Sequence, residues 1–139
     1  MTILVIDGQG GGIGRQLVSA VKDHFPQVQV TAVGTNSAAS QAMLKAGADQ
    51  AATGENAVLV GCRKADVIIG PIGIVIADAL CGEITSAMAV AVGQSMAKRI
   101  LIPVNHCDNV VVGVSELALG KLMPQVIEEV AKILSESGK

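Results

Sequence analysis

The sequence predicts an α/β fold of Rossmann-like type, in which helices cover both faces of a mostly parallel sheet of five to six strands. Short apolar runs rich in Val and Ile alternate with amphipathic segments, which is the βαβ pattern. The first apolar run leads directly into five glycines among residues 8–14. Half of the residues are hydrophobic, yet Phe25 is the only aromatic one. This composition suits aliphatic helices packed on a buried parallel sheet.

The first half of the chain is predicted to contain three strands and three helices. Pro26 ends the first helix, because the residue before a proline avoids the α region. Gly47 suits the position after a helix, and Thr53 can cap the helix that follows it. The predicted elements are strand 2–7, helix 12–24, strand 28–33, helix 37–45, a short strand near 50–52 and helix 55–64.

The second half continues the alternation and ends in an amphipathic helix. Residues 74–80 are ambiguous between a buried helix and a strand, and their position favours a short helix. Thr85 is a candidate N-cap, and Pro124 fits the first position of a helix, where its missing N–H costs nothing. The predicted elements are strand 67–69, helix 85–98, strand 100–104, strand 110–112 and helix 124–136. With no repeat or linker, residues 1–139 are expected to form one domain.

Charge and composition exclude several classes of function. The net charge is −2 and no basic run exists, so nucleic acid is not an expected partner, all the more because no aromatic platform can stack bases. No apolar run has the length of a membrane span, and the first residues lead straight into a strand rather than a signal peptide. The three cysteines are widely spaced and odd in number, which predicts neither a metal site nor a disulfide framework. A cytoplasmic location is expected.

The glycine-rich segment 8–14 is typical of a phosphate-binding βα turn. Glycine permits positive φ in a tight turn and removes the Cβ that would keep the backbone from a phosphate. The helix that follows directs its unpaired N–H groups toward the anion. The spacing G-x-G-x-x-G fails from Gly8 because residue 13 is Ile, whereas G-x-x-x-G-I-G fits and resembles the loop of short-chain dehydrogenases. The alternative is a tight connection without a ligand.

Small polar residues follow the other predicted strands, at the edge of the sheet where ligands bind in open parallel sheets. These residues and the glycine loop form the predicted binding rim. Its members are Gly8, Gln9, Gly10, Gly11, Gly12, Ile13, Gly14, Arg15, Gly34, Thr35, Asn36, Thr53, Glu55, Asn56, Gly70, Pro71, Ile72, Gly73 and Asn105.

The end of the second strand bears on the identity of the cofactor. An NAD site usually offers Asp or Glu there to bind the ribose 2′-OH. This chain has no acid in residues 34–37, which suits a 2′-phosphate better, although no arginine lies in that loop. Arg15 can reach a phosphate from the first helical turn, or it faces solvent. NADP and NAD are the candidate cofactors.

No catalytic residue can be assigned from the sequence, and whether the chain is an enzyme stays open. There is no tyrosine, so the tyrosine–lysine dyad of short-chain dehydrogenases is absent. His106 and Cys107 are adjacent, and neighbours on an extended chain point to opposite sides. Asp78 and Glu83 lie in an apolar segment without a visible partner. No set of metal ligands emerges.

Five segments together resemble one family of small bacterial proteins, the family of domain of unknown function 3842. The resemblance covers nearly the whole chain and implies a bacterial, cytoplasmic, Rossmann-like protein, without a substrate or a reaction. The segments are residues 5–14, 34–36, 52–57, 70–77 and 102–105.

Two functional hypotheses and one on assembly follow. The first is a protein that binds a nucleotide or another small phosphate-bearing molecule at the glycine loop. The alternative is a non-enzymatic module that senses a metabolite or serves in assembly, with an architectural glycine turn. A homodimer is also expected, because residues 72–80 and 85–98 carry more apolar side chains than a small domain can bury.

Overall fold

The computed structural model describes residues 1–104, 109–114 and 119–137. Its sheet consists of five parallel strands in the order β3-β2-β1-β4-β5, which confirms the predicted Rossmann-like α/β fold. The elements are β1 (Thr2–Asp7), α1 (Gly12–His24), β2 (Gln29–Gly34), α2 (Ser37–Lys45), β3 (Gln50–Thr53), α3 (Glu55–Lys64), β4 (Val67–Pro71), a short 3₁₀ helix (Ile72–Val75), α4 (Ser86–Gln94), β5 (Lys98–Ile102) and α5 (Leu119–Ser137).

The central strand β1 shows why the fold has three layers, with the sheet between two layers of helices. Its side chains point alternately to opposite faces, as strand geometry requires, and both faces are buried. Ile3 and Val5 pack with apolar residues of α1, α2 and α5, whereas Leu4 and Ile6 pack with α3 and α4. The sheet is therefore covered by helices on both sides, which is why its strands are rich in Val and Ile.

The strand order reverses between β1 and β4. The chain runs from β1 outward through β2 to β3, then returns to the other side of β1 for β4 and β5. In open parallel sheets the crevice at the carboxyl ends beside such a reversal is the usual place for a ligand. The glycine loop leaves β1 at this point.

Two predictions about the chain after β4 are wrong. Residues 110–112 form no strand, and Val110 and Val112 are 87% and 93% exposed, because no strand of the described chain pairs with them. The short helix expected at 74–80 is a 3₁₀ helix that begins at Ile72 and ends at Val75. The segment that follows, residues 76–85, is a hydrogen-bonded loop and is called the 76–85 loop below.

The bounds of two helices and the N-cap of a third also differ from prediction. Helix α4 ends at Gln94, four residues early, because the Ser95 hydroxyl donates to the Cys62 carbonyl and accepts from the Ala97 N–H, which turns the chain into β5. Helix α5 begins at Leu119, so Pro124 lies inside it rather than at its start. Gly54, not Thr53, is the N-cap of α3. Among the helices of the described chain, none combines the length and apolarity that a membrane crossing needs.

Candidate functional site

The glycine loop, residues 8–14, turns the chain from β1 into α1 through backbone hydrogen bonds. The Gly11 N–H donates to the Gly8 carbonyl at 2.9 Å, and the Arg15 N–H donates to the Gly11 carbonyl at 2.8 Å. Gln9 and Gly11 have φ of 51° and 74°, in the left-handed region. Side chains other than Gly are strained there, so the turn accounts for the glycine at position 11.

Three glycines of the loop are required by packing within the protein. A Cβ built on Gly8 would lie 2.6 Å from the Thr35 hydroxyl oxygen, and one on Gly11 would lie 2.8 Å from the Cα of Ala39. A Cβ on Gly14 would lie 2.8 Å from the Cβ of Asp7. All three glycines are buried, so they allow the loop, α1 and α2 to approach one another.

Gly10 and Gly12 differ from these three in their exposure and in the open space around their Cα atoms. Both are exposed, neither has a left-handed φ, and a Cβ on either would meet nothing within 4 Å. Among the described residues, their N–H groups have no hydrogen-bond acceptor. The protein's own fold therefore does not explain glycine at these two positions, and their backbone is open to a ligand.

Asp7 holds the loop from inside. Asp7 is 3% exposed, and its carboxylate accepts the N–H groups of Gly8 and Gly14 at 2.8 and 2.7 Å. Burial raises the pKa of this carboxyl against the lowering effect of these N–H donors, and the negative charge of Glu83 raises it further. Because Asp7 engages the N–H groups of Ile13 and Gly14 in the first turn of α1, the open N–H groups are those of Gly10 and Gly12.

Glu83 is a site residue that sequence reasoning did not place. Its carboxylate accepts the Thr35 hydroxyl at 2.7 Å, the Asn36 amide at 2.6 Å and the Gln9 N–H at 3.0 Å. The hydrogen bond from Thr35 is the main reason that the pKa of Glu83 lies below its usual value, although partial burial opposes it. Thr35 lies 48 positions from Glu83 in the sequence, so their contact could not be predicted. The only sequence signal for Glu83 was an acidic residue in an apolar segment.

The end of β2 is joined to the glycine loop through two residues. The Thr35 N–H donates to the Asp7 carbonyl at 3.0 Å. Asn36 caps α2 by accepting the Ala39 N–H, and its side-chain amide donates to the Gln9 carbonyl and to Glu83. A Cβ on Gly34 would lie 2.5 Å from the Ser40 N, so Gly34 is required by the packing of α2 on β2.

The other predicted rim residues have varied surroundings. The Thr53 hydroxyl lies 2.6 Å from the Ser40 hydroxyl, and the Glu55 carboxylate accepts the Thr85 hydroxyl at 2.6 Å, which joins the first turns of α3 and α4. None of these contacts reaches the glycine loop. Asn56 is exposed.

The predicted binding residues at and after the end of β4 pack within the protein interior. A Cβ on Gly70 would lie 2.5 Å from the Ile6 carbonyl oxygen, so Gly70 allows β4 to pack on β1. Pro71 and Gly73 are buried, and Ile72 is half-buried. Asn105, with His106 and Cys107, lies outside the described residues.

Near the loop, the described residues offer one cation and one thiol. Arg15 is exposed in the first turn of α1, and its guanidinium makes no hydrogen bond or ion pair within the described part of the chain. Cys81 is exposed, and its Sγ lies 3.5 Å from the Gln9 side-chain amide. Three surface cavities of about 330, 430 and 470 Å³ lie elsewhere and are not lined by the glycine loop.

Comparisons with known proteins give one family and a similar solved structure. The chain is similar to the solved structure of a dodecameric FMN-dependent Ubix-like decarboxylase from Escherichia coli O157:H7, with 19% identity and a TM-score of 0.46 over 96% of this chain and 76% of the other. No curated protein gives a significant match. The family described as Domain of unknown function (DUF3842) matches residues 2–135, and the chain therefore belongs to this family.

Proposed function

We propose that this protein binds a small phosphate-bearing molecule of nucleotide type at the glycine loop. The observation that carries the proposal is the state of Gly10 and Gly12. Their N–H groups have no acceptor among the described residues, and their Cα atoms face open space. A phosphate oxygen is the acceptor that such backbone donors at a helix N-terminus favour.

Charge around the loop supports the same proposal. Gly12 is the first residue of α1, so the positive end of the helix dipole lies beside it. Arg15 adds a full positive charge one turn further on. The nearest carboxylates are engaged by protein donors, Asp7 by backbone N–H groups and Glu83 by Thr35, Asn36 and Gln9. The candidate ligands are NAD, NADP, flavin nucleotides, ATP and GTP.

A thermal-shift screen of these compounds, followed by calorimetry, tests the proposal. A ligand at 100 times its Kd is expected to add about 2.7 kcal/mol to the free energy of unfolding. The variant Gly12→Val is expected to lose binding, because the new side chain covers the open N–H groups while its Cβ meets nothing within the protein.

Gly93→Val is the matched control for this variant. Gly93 is also an exposed helical glycine whose Cβ would meet nothing within 4 Å, but it lies in α4. The control should bind as the parent does. The proposal is wrong if no compound shifts the transition, or if Gly12→Val binds as tightly as Gly93→Val.

A further inference from the structure

The 76–85 loop closes one side of the proposed site, between the ends of β1 and β2. The Leu80 Cδ1 lies 3.1 Å, and the Glu83 Oε1 3.2 Å, from the position that a Cβ on Gly8 would take. The same carboxylate bridges Gln9 of the glycine loop to Thr35 after β2. Protein atoms therefore fill the space between the first glycine of the loop and the end of β2.

The polar groups at the end of β2 are already used. The Asn36 amide has two N–H donors, and these bind the Gln9 carbonyl and Glu83. The side-chain oxygen of Asn36 accepts the Ala39 N–H, and the Thr35 hydroxyl donates to Glu83. A ribose at this position would have to break hydrogen bonds that the protein makes within itself. Each broken bond leaves a polar group of the protein that needs a new partner.

The covering loop is anchored in the core. Ala79, Leu80 and Ile84 are 7%, 3% and 1% exposed and belong to the apolar cluster under α3 and α4. The Asp78 N–H donates to the Ile84 carbonyl at 2.7 Å, and the Ile84 N–H donates to the Ala79 carbonyl at 3.1 Å. Because the loop is both packed and hydrogen-bonded, the cover is a fixed part of the fold.

A dinucleotide on a Rossmann-like sheet places its pyrophosphate on the glycine loop and one ribose at the end of β2. Resting on the proposed function, we infer that Glu83 is a specificity-determining residue that closes the end of β2, so that the site takes mononucleotides and excludes dinucleotides. The bound nucleotide then extends from the loop toward β4. A 2′-phosphate at the end of β2 would also face the Glu83 carboxylate, so NADP is excluded more strongly than NAD.

Calorimetry with matched compounds tests this inference. NAD is compared with its two halves, AMP and nicotinamide mononucleotide, and FAD is compared with FMN and AMP. At least one half is expected to bind about tenfold more tightly than the dinucleotide that contains it, the ratio that corresponds to 1.4 kcal/mol. The inference is overturned if a dinucleotide binds as tightly as its better half.

Variants of Glu83 supply the second measurement. Glu83→Ala is expected to raise dinucleotide affinity relative to mononucleotide affinity about tenfold, the worth of one charge-assisted contact. Glu136→Ala, an exposed acid in α5, is the control that should change neither. A loss of NAD binding in Glu83→Ala would mean that Glu83 binds the ribose, and the inference would be wrong.

Glu83→Gln keeps the shape of the side chain and provides a second test if the alanine variant does not fold. Removal of the charge should bring the NADP affinity close to that of NAD, and an unchanged ratio counts against the inference. If no mononucleotide or dinucleotide binds the parent protein, the proposed function fails and the inference fails with it. If mononucleotides and dinucleotides bind alike, the proposed function stands and only the inference fails.

Discussion

Gly14→Ala and Gly12→Ala are expected to affect stability very differently, although both glycines lie in the first turn of α1. The Cβ added at Gly14 would lie 2.8 Å from the Asp7 Cβ and 2.5 Å from the Met43 Sδ. Asp7 is fixed in the sheet, and the Met43 side chain is fully buried, so neither can move into solvent. Overpacking of this kind costs about 1–3 kcal/mol.

The added methyl at Gly12 meets nothing, so Gly12→Ala is expected to change the free energy of unfolding by only about 0.5 kcal/mol. Because both variants gain helix propensity from alanine, the difference between them isolates the packing cost at Gly14. A difference of about 1–3 kcal/mol corresponds to roughly 3–10 °C in Tm for a chain of this size. Urea denaturation and calorimetry of both variants measure it. Equal stabilities would refute the division of the loop into packed and open glycines.

Three further predictions concern other parts of the molecule. The Asp49 carboxylate accepts the Val30 N–H and pairs with Lys22, and these contacts hold its pKa below the ordinary value. Its stabilising effect is therefore present at neutral pH and is lost as the pH falls through the lowered pKa. Urea titrations at several pH values should show that the difference in free energy of unfolding between the parent and Asp49→Asn disappears in acid. Burial raises the pKa of Cys62 to about 11, whereas Cys81 is exposed, so peptide mapping after brief iodoacetamide treatment at pH 8 should find label at Cys81 and little at Cys62. If a homodimer forms through α4, whose side chain at Val90 is 51% exposed, light scattering should show a dimer for the parent and a monomer for Val90→Lys; a parent monomer of 14.1 kDa would contradict the dimer.

Local signals predicted most of the fold. Apolar runs placed the five strands, and the glycine loop after β1 located the start of α1 at the correct residue. The predicted strand at 110–112 failed, because Val favours a strand only where a neighbouring strand is available to pair with it. The predicted start of α5 was wrong because packing partners are present before the residue at which the sequence suggested the start of the helix. Leu122 is buried together with Val126, so packing continues the helix through Pro124.

The candidate site was less predictable than the fold. Gly34 and Gly70 appear in sequence like ligand-contacting glycines, and the structure shows that each makes room for neighbouring protein atoms. They can be distinguished from Gly10 and Gly12 only in the folded structure, because the difference lies in the atoms that surround the position of the missing Cβ. Glu83 accepts the Gln9 N–H, and no spacing in the sequence encodes a contact between residues 74 positions apart.

The central position of β1 has a consequence for the order of folding. Ile3 pairs with Val30, 27 positions along the chain, but its partner on the other side is Val67, 64 positions along. Longer closures cost more chain entropy, and distant pairings slow folding. The β1–β3 half, with the turn that carries Gly10 and Gly12, is therefore expected to form in the transition state, and pairing with β4 to follow. The open N–H groups of Gly10 and Gly12 would then be in place before the 76–85 loop covers Gly8, so the glycine loop would be more exposed in the transition state than in the native protein.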